Sequence, residues 1–177
     1  MDKQEAVGEL LYLISNTQKA TLDTSRIWTF GYVKSIQKSM EILEKLVLLL
    51  GSDHPVSLKS LSFAFDHLAW KKFTLSDEAR RVMQMGEFLT SRPLTSKYKQ
   101  ISVLMLDVIR EVQRRLKRII HQDKKQIWSL IHSLHNLALT LLHNRESVLF
   151  NDLVFNPLTV EDGLAYAKMD LDTVKKL

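Results

Sequence analysis

The chain has no cysteine, which removes a disulfide scaffold, a thiolate zinc site and cysteine nucleophile chemistry at once. A reducing compartment, the cytoplasm, is the location expected of such a chain. Glycine (5) and proline (3) are scarce among its 177 residues, against an average of roughly 12% for the two together. Few residues break helices or open turns, so long helices are expected. The opening Met1-Asp2-Lys3-Gln4-Glu5 is charged, not apolar, so no export signal is expected. The longest stretch without Asp, Glu, Lys or Arg, Gln126 to Asn144, holds three histidines, two serines, Thr140 and Asn136. That is too polar for the roughly 20 apolar residues of a membrane span. Glycine-rich phosphate loops, dinucleotide fingerprints and a Gly-x-Ser-x-Gly elbow are also missing. No cofactor, no metal and no small-molecule substrate is therefore indicated.

What is present is amphipathic periodicity. Val7, Leu10, Leu11 and Ile14 form one stripe of a helix expected over 3–17. A polar connection follows over 16–25. A second helix over 26–50 sets Tyr32, Val33, Ile36, Met40, Leu43, Val47 and Leu50 on one face, with Gly51 suited to the C′ position. Helices are expected over 57–73 and from a Thr74 cap to just before Arg92-Pro93. The most distinctive helix spans 96–121. At 100° per residue, Ile101, Leu104, Met105, Val108, Ile109, Val112, Leu116, Ile119 and Ile120 share an arc of about 160°. Asp123 can cap the next helix, whose apolar arc from Ile127 and Trp128 to Leu142 covers more than half its circumference and puts it at the centre. Ser147 to Phe155 is apolar but interrupted by Asn151-Asp152, and helix, strand and irregular hook all remain open there. Thr159 followed by Glu161 and Asp162 starts a last helix through about Met169. No repeat or linker divides the chain. The expected fold class is all-α: a single domain over 1–177, an antiparallel bundle of five to seven helices with a short C-terminal extension.

Charge is uneven. Between Ser96 and Gln126 there are nine Lys or Arg against three acids, whereas Arg145 to Leu177 has four against six. Lys99, Arg110, Arg114, Lys117 and Arg118 fall opposite the apolar arc of the 96–121 helix, and a basic row of this kind can neutralise successive phosphates or meet an acidic partner. The plainer reading is a solvated face in which Glu111 pairs with Arg114 and Arg115. Arg115 itself projects between Leu104 and Val108 at the edge of the apolar arc, where an arginine either snorkels or finds carboxylates and carbonyls.

Arg114 and His121, seven residues apart on one face, resemble the Arg-x(4 to 6)-His element of HEPN-type helical ribonucleases. That resemblance covers this pair alone, and the polar residue usual after the arginine is here Arg115. It implies a histidine acting as general acid or base and an arginine stabilising phosphorane charge. His132 and His135 have the i, i+3 spacing of two ligands for one metal, with His143 beyond them, but no Glu-x-x-His pair accompanies them. A satisfied core histidine is the plainer account of His135.

The sequence therefore leads to a non-enzymatic helical protein-interaction or regulatory module, homo-oligomeric or bound to a protein partner, acting through a helix face and the apolar segment Val148 to Phe155. The alternative is a nucleic-acid-binding protein using the basic face around 96–121, with HEPN-like ribonuclease activity as its enzymatic form.

Overall fold

A computed structural model of the chain describes residues 3–51, 56–57, 88–89, 96–118, 123–141 and 160–177. Helix α1 spans Lys3–Thr21. Val7, Leu10, Leu11 and Ile14 are fully buried, as their spacing requires. It runs past the expected end at residue 17 because its last turn is tied to a neighbour: the Gln18 amide donates to Ser39 Oγ at 2.8 Å, and the Leu22 N–H closes the turn on the Gln18 carbonyl at 2.9 Å. A tertiary hydrogen bond here outweighs the loop preference of a polar sequence.

Helix α2 (Phe30–Leu50) starts four residues later than expected, with Thr29 as N-cap accepting from the Tyr32 N–H. The reason lies upstream. Asp23 captures the backbone N–H and the hydroxyl of Ser25, an aspartate turn that competes with helix, and Trp28 folds back to donate its indole N–H to the Asp23 carbonyl at 2.9 Å. The buried Lys124 locks the same connection by donating to the Arg26 carbonyl. Gly51 ends α2 in the right-handed region (φ −79°, ψ −5°), so the left-handed freedom of a C′ glycine is not used.

Val56–Ser57 (β1) and Phe88–Leu89 (β2) pair antiparallel, Val56 with Leu89 and Ser57 with Phe88. Ser57 and Leu89 were expected at helix ends; Pro55, Val56 and Phe88 favour extended backbone over a helical terminus. The rest of the two helices expected over 57–73 and 74–91 lies outside the described residues.

Helix α3 (Ser96–Leu116) buries Ile101, Met105, Val108, Ile109, Val112 and Leu116. Helix α4 (Asp123–Leu141) buries Ile127, Leu130, Ile131, Leu134, Leu137, Ala138 and Leu141. It occupies the middle of the described structure, packing on α1, α3 and α5, while α2 packs on α1 and α3 and α3 on α5. Helix α5 (Val160–Lys175) extends six residues beyond the expected end at Met169 because Leu171 and Val174 continue the buried stripe begun by Gly163 and Ala167. The described elements are thus five helices and one two-residue strand pair, and no described helix is long and apolar enough to cross a membrane.

The α4–α5 contact is closest at Gly163. A Cβ there would lie 2.3 Å from Thr140 Oγ1 and 3.2 Å from both Thr140 carbons, and the Thr140 hydroxyl is already committed to the Asn136 carbonyl. Overpacking costs typically 1–3 kcal/mol, which exceeds the roughly 1 kcal/mol that alanine gains over glycine in a helix. Gly163→Ala is therefore expected to lower the urea midpoint, and to become neutral or stabilising in a Thr140→Ala background. Equal effects in both backgrounds would contradict a steric origin.

Candidate functional site

The five cations singled out on the 96–121 helix are all exposed, and two of them face carboxylates. Lys99 is exposed near the start of α3. Arg110 sits 3.8 Å from Glu44 of α2, whose other oxygen accepts from Gln113 at 3.0 Å. Arg114 is exposed yet forks onto Glu111, with Nε to Oε2 at 3.1 Å and a second, closer contact to Oε1. Lys117 and Arg118 lie exposed in the turn after Leu116, where the Arg118 N–H donates to the Arg115 carbonyl. Among the described residues, Lys99, Lys117 and Arg118 make no ion pair, and Arg110 and Arg114 face carboxylates. His121, the partner of Arg114 in the ribonuclease-like pair, lies outside the described residues, as do His143 and the apolar segment Val148 to Phe155.

Arg115 does not snorkel. It is 2% exposed and divides its fork among three helices. Its Nε donates to Glu111 Oε1 at 3.0 Å, Nη1 to Asp123 Oδ1 at 2.8 Å, and Nη2 to the Val174 carbonyl at 2.8 Å. Asp123, expected as a cap, spends its carboxylate on this arginine. Glu111 is held below the usual carboxylate range, first by the hydrogen bond from Arg114 and then by that from Arg115, against the opposing effect of burial. Two arginines and two carboxylates thus balance in charge where α3, the start of α4 and the end of α5 meet. The cluster ties the three helices together through the Arg115 guanidinium.

The histidines of α4 also pack. His135 is 1% exposed, with its ring 5.0 Å from Tyr12 and 6.4 Å from His132, which in turn stacks on Trp128 at 5.4 Å and an interplanar angle of 7°. Burial, with Lys19 and His132 adding to it, pushes His135 down to about 4. His132 is lowered in the same way, by burial first and then Lys19. Among the described residues no group of three or more His, Cys, Asp or Glu is placed to hold a metal ion. His135 thus lies in the core against Tyr12 and His132, which is the burial the plainer account expected of it.

Sequence reasoning missed a cleft. Trp128 was placed in the apolar arc of its helix, yet it is 38% exposed and forms one wall of an opening of about 630 Å³. The other walls come from Leu22, Asp23 and Thr24 of the α1–α2 connection and from Asp170, Thr173 and Leu177 at the end of α5. Ser129 and Ser133 of α4 both donate their hydroxyls to Asp170. Asp23 stays below the usual carboxylate range because the Ser25 hydroxyl and N–H bind it. The only sequence signal was the angular position of Trp128 at the margin of its arc. The cleft residues come from three distant segments that no local spacing connects.

The described residues form a helical bundle with buried polar groups in its core, a cleft beside Trp128 and exposed apolar residues along α5. No family model, curated protein sequence or solved structure matches this chain.

Proposed function

We propose that the protein is a non-enzymatic helical interaction module. It is a single domain over 1–177, folded as an antiparallel bundle of five to seven helices, and it self-associates through α5. The carrying observation is the face α5 turns to solvent: Tyr166 is 59%, Met169 66% and Leu177 74% exposed. Tyr166 and Met169 fall with Asp162 and Thr173 within an arc of about 60° at 100° per residue, and Leu177 follows two residues beyond the helix end. An apolar stripe left open along a helix marks an interaction surface.

Charge indicates a second copy as its occupant. Asp162, Met169 and Lys176 are spaced by heptads, so they share one face. Pairing two copies of α5 antiparallel about a two-fold axis at Met169 sets Asp162 opposite Lys176 of the other copy, twice, because an isologous interface repeats every contact. The Lys176 N–H still bonds to the Asp172 carbonyl, so the helical path reaches it. Ile27 and Phe30 are as exposed, but they stand in and after the α1–α2 connection, and Lys34 covers the Phe30 ring at 4.8 Å.

Light scattering after gel filtration is expected to give a dimer at tens of micromolar. Asp162→Lys should weaken it several-fold, and adding Lys176→Asp in the same chain should restore it. A dimer indifferent to both changes would place the interface elsewhere. The nucleic-acid reading ranks second, since Arg110 and Arg114 already face Glu44 and Glu111. Its signature would be single-stranded RNA binding that falls steeply with salt and is lost in Lys117→Ala/Arg118→Ala.

A further inference from the structure

The cleft beside Trp128 is unusual in what it offers. Its volume of about 630 Å³ falls within the roughly 300–1,000 Å³ of small-ligand sites. Asp170 is held from below by two hydroxyl donors, Ser129 and Ser133. A carboxylate has about four acceptor positions, so its remaining lone pairs are available to the opening. Asp23, fixed on one oxygen by Ser25, also lines the cleft. Gln126 lines the cleft as well, and its Oε1 is buried with no hydrogen-bond partner among the described residues. The indole of Trp128, backed by the parallel His132 ring, adds an exposed aromatic face. Against these acceptors stands one cation, Lys125. Two carboxylates and a π face line a space that holds a single cationic side chain. An anion would meet repulsion, and a neutral apolar ligand would leave the remaining acceptor positions of both carboxylates unused.

We propose that this cleft is a binding site for a small organic cation, an alkyl ammonium or guanidinium compound. Its charged end is bound by Asp170 and Asp23, and its chain or cationic head lies on Trp128. This goes beyond self-association through α5: Thr173 and Leu177 border both surfaces, but Asp170, Asp23 and Trp128, which recognise the cation, are not the Asp162, Met169 and Lys176 that pair the helices.

Isothermal titration calorimetry with agmatine and with 1,4-diaminobutane tests it, using 1-butanol and citrate as neutral and anionic controls. Saturable binding of at least one of the two cations is expected, with neither control bound. Asp170→Asn, which keeps one acceptor oxygen for a serine hydroxyl and leaves the other hydroxyl to turn and accept from the new amide, should weaken it at least tenfold. Trp128→Ala should weaken it as well, and Lys125→Met should tighten it. Binding should persist in Met169→Lys, so the cation site and the α5 interface fail separately. No saturable heat with either amine at millimolar concentration, binding of citrate instead, or full affinity in a folded Asp170→Asn protein would overturn the proposal.

Discussion

Replacing Arg115 by alanine is expected to cost about 3–5 kcal/mol of unfolding free energy, the range for removing one partner of a buried ion pair. The magnitude follows from what is left behind. Glu111 and Asp123 are both buried and lose the guanidinium between them, and the Val174 carbonyl loses its donor. Asp123 Oδ2 already has no hydrogen-bond partner among the described residues, so this carboxylate has little to fall back on. Arg114 still pairs with Glu111 from the solvent side, which makes Asp123 the more exposed to the loss. Arg115→Lys should recover only part, since an ammonium cannot present a planar fork to three acceptors on three helices. Removing both charges together, as Arg115→Met with Asp123→Leu, should cost less than Arg115→Ala alone, because no uncompensated charge remains near the end of α3. Equilibrium urea denaturation gives the values. A loss below about 1 kcal/mol for Arg115→Ala, the scale of exposed ion pairs, would show that the cluster contributes little.

Acidification supplies the second large effect. In the folded protein His135 stays neutral down to about pH 4, whereas its ordinary value is 6.5. Between those values the unfolded chain binds the proton and the folded protein does not, so stability falls as pH drops. At about 1.4 kcal/mol per pH unit, this amounts to about 3 kcal/mol by the lower end of the window. His132, lowered in the same direction, adds to the same limb. Below it Glu111 takes over: its contribution is present above 4.5 and is lost as pH falls through its depressed folded value. His135→Phe keeps a ring beside Tyr12 and removes the titration. Its stability should therefore decline much less than wild type between pH 6.5 and 4, leaving the share of His132. Parallel curves for the two proteins would assign the acid sensitivity elsewhere.

The apolar arcs of α3 and α4 were legible because their periodicity is long and regular, and the central place of α4 followed from the width of its arc. The acid–base balance of Arg115 was half legible: its angle announced a buried edge, and Glu111 lies one turn away, but Asp123 and the Val174 carbonyl come from other helices. Helix ends were read less well wherever a tertiary contact decides them. Gln18 reaching Ser39 lengthens α1, the Asp23 turn delays α2, and burial of Leu171 and Val174 prolongs α5. The basic face looked continuous in one dimension because Glu44, which answers Arg110, stands on a different helix. Trp128 was counted with the core for the same reason. A residue at the margin of an arc is buried or open according to which neighbour flanks it, and at that margin α4 is bordered by a cleft.

Sedimentation equilibrium of wild type, Met169→Lys and Val103→Lys tests the central claim most directly. Met169 lies at the two-fold axis of the α5 pairing, so one substitution sets two ammonium groups against each other there. Val103 is an equally exposed apolar residue on α3 and serves as the control. Wild type and Val103→Lys are expected to be dimers, and Met169→Lys a folded monomer with unchanged helix content. A monomeric wild type at tens of micromolar, or a Met169→Lys protein that still dimerises with wild-type affinity, would contradict self-association through α5.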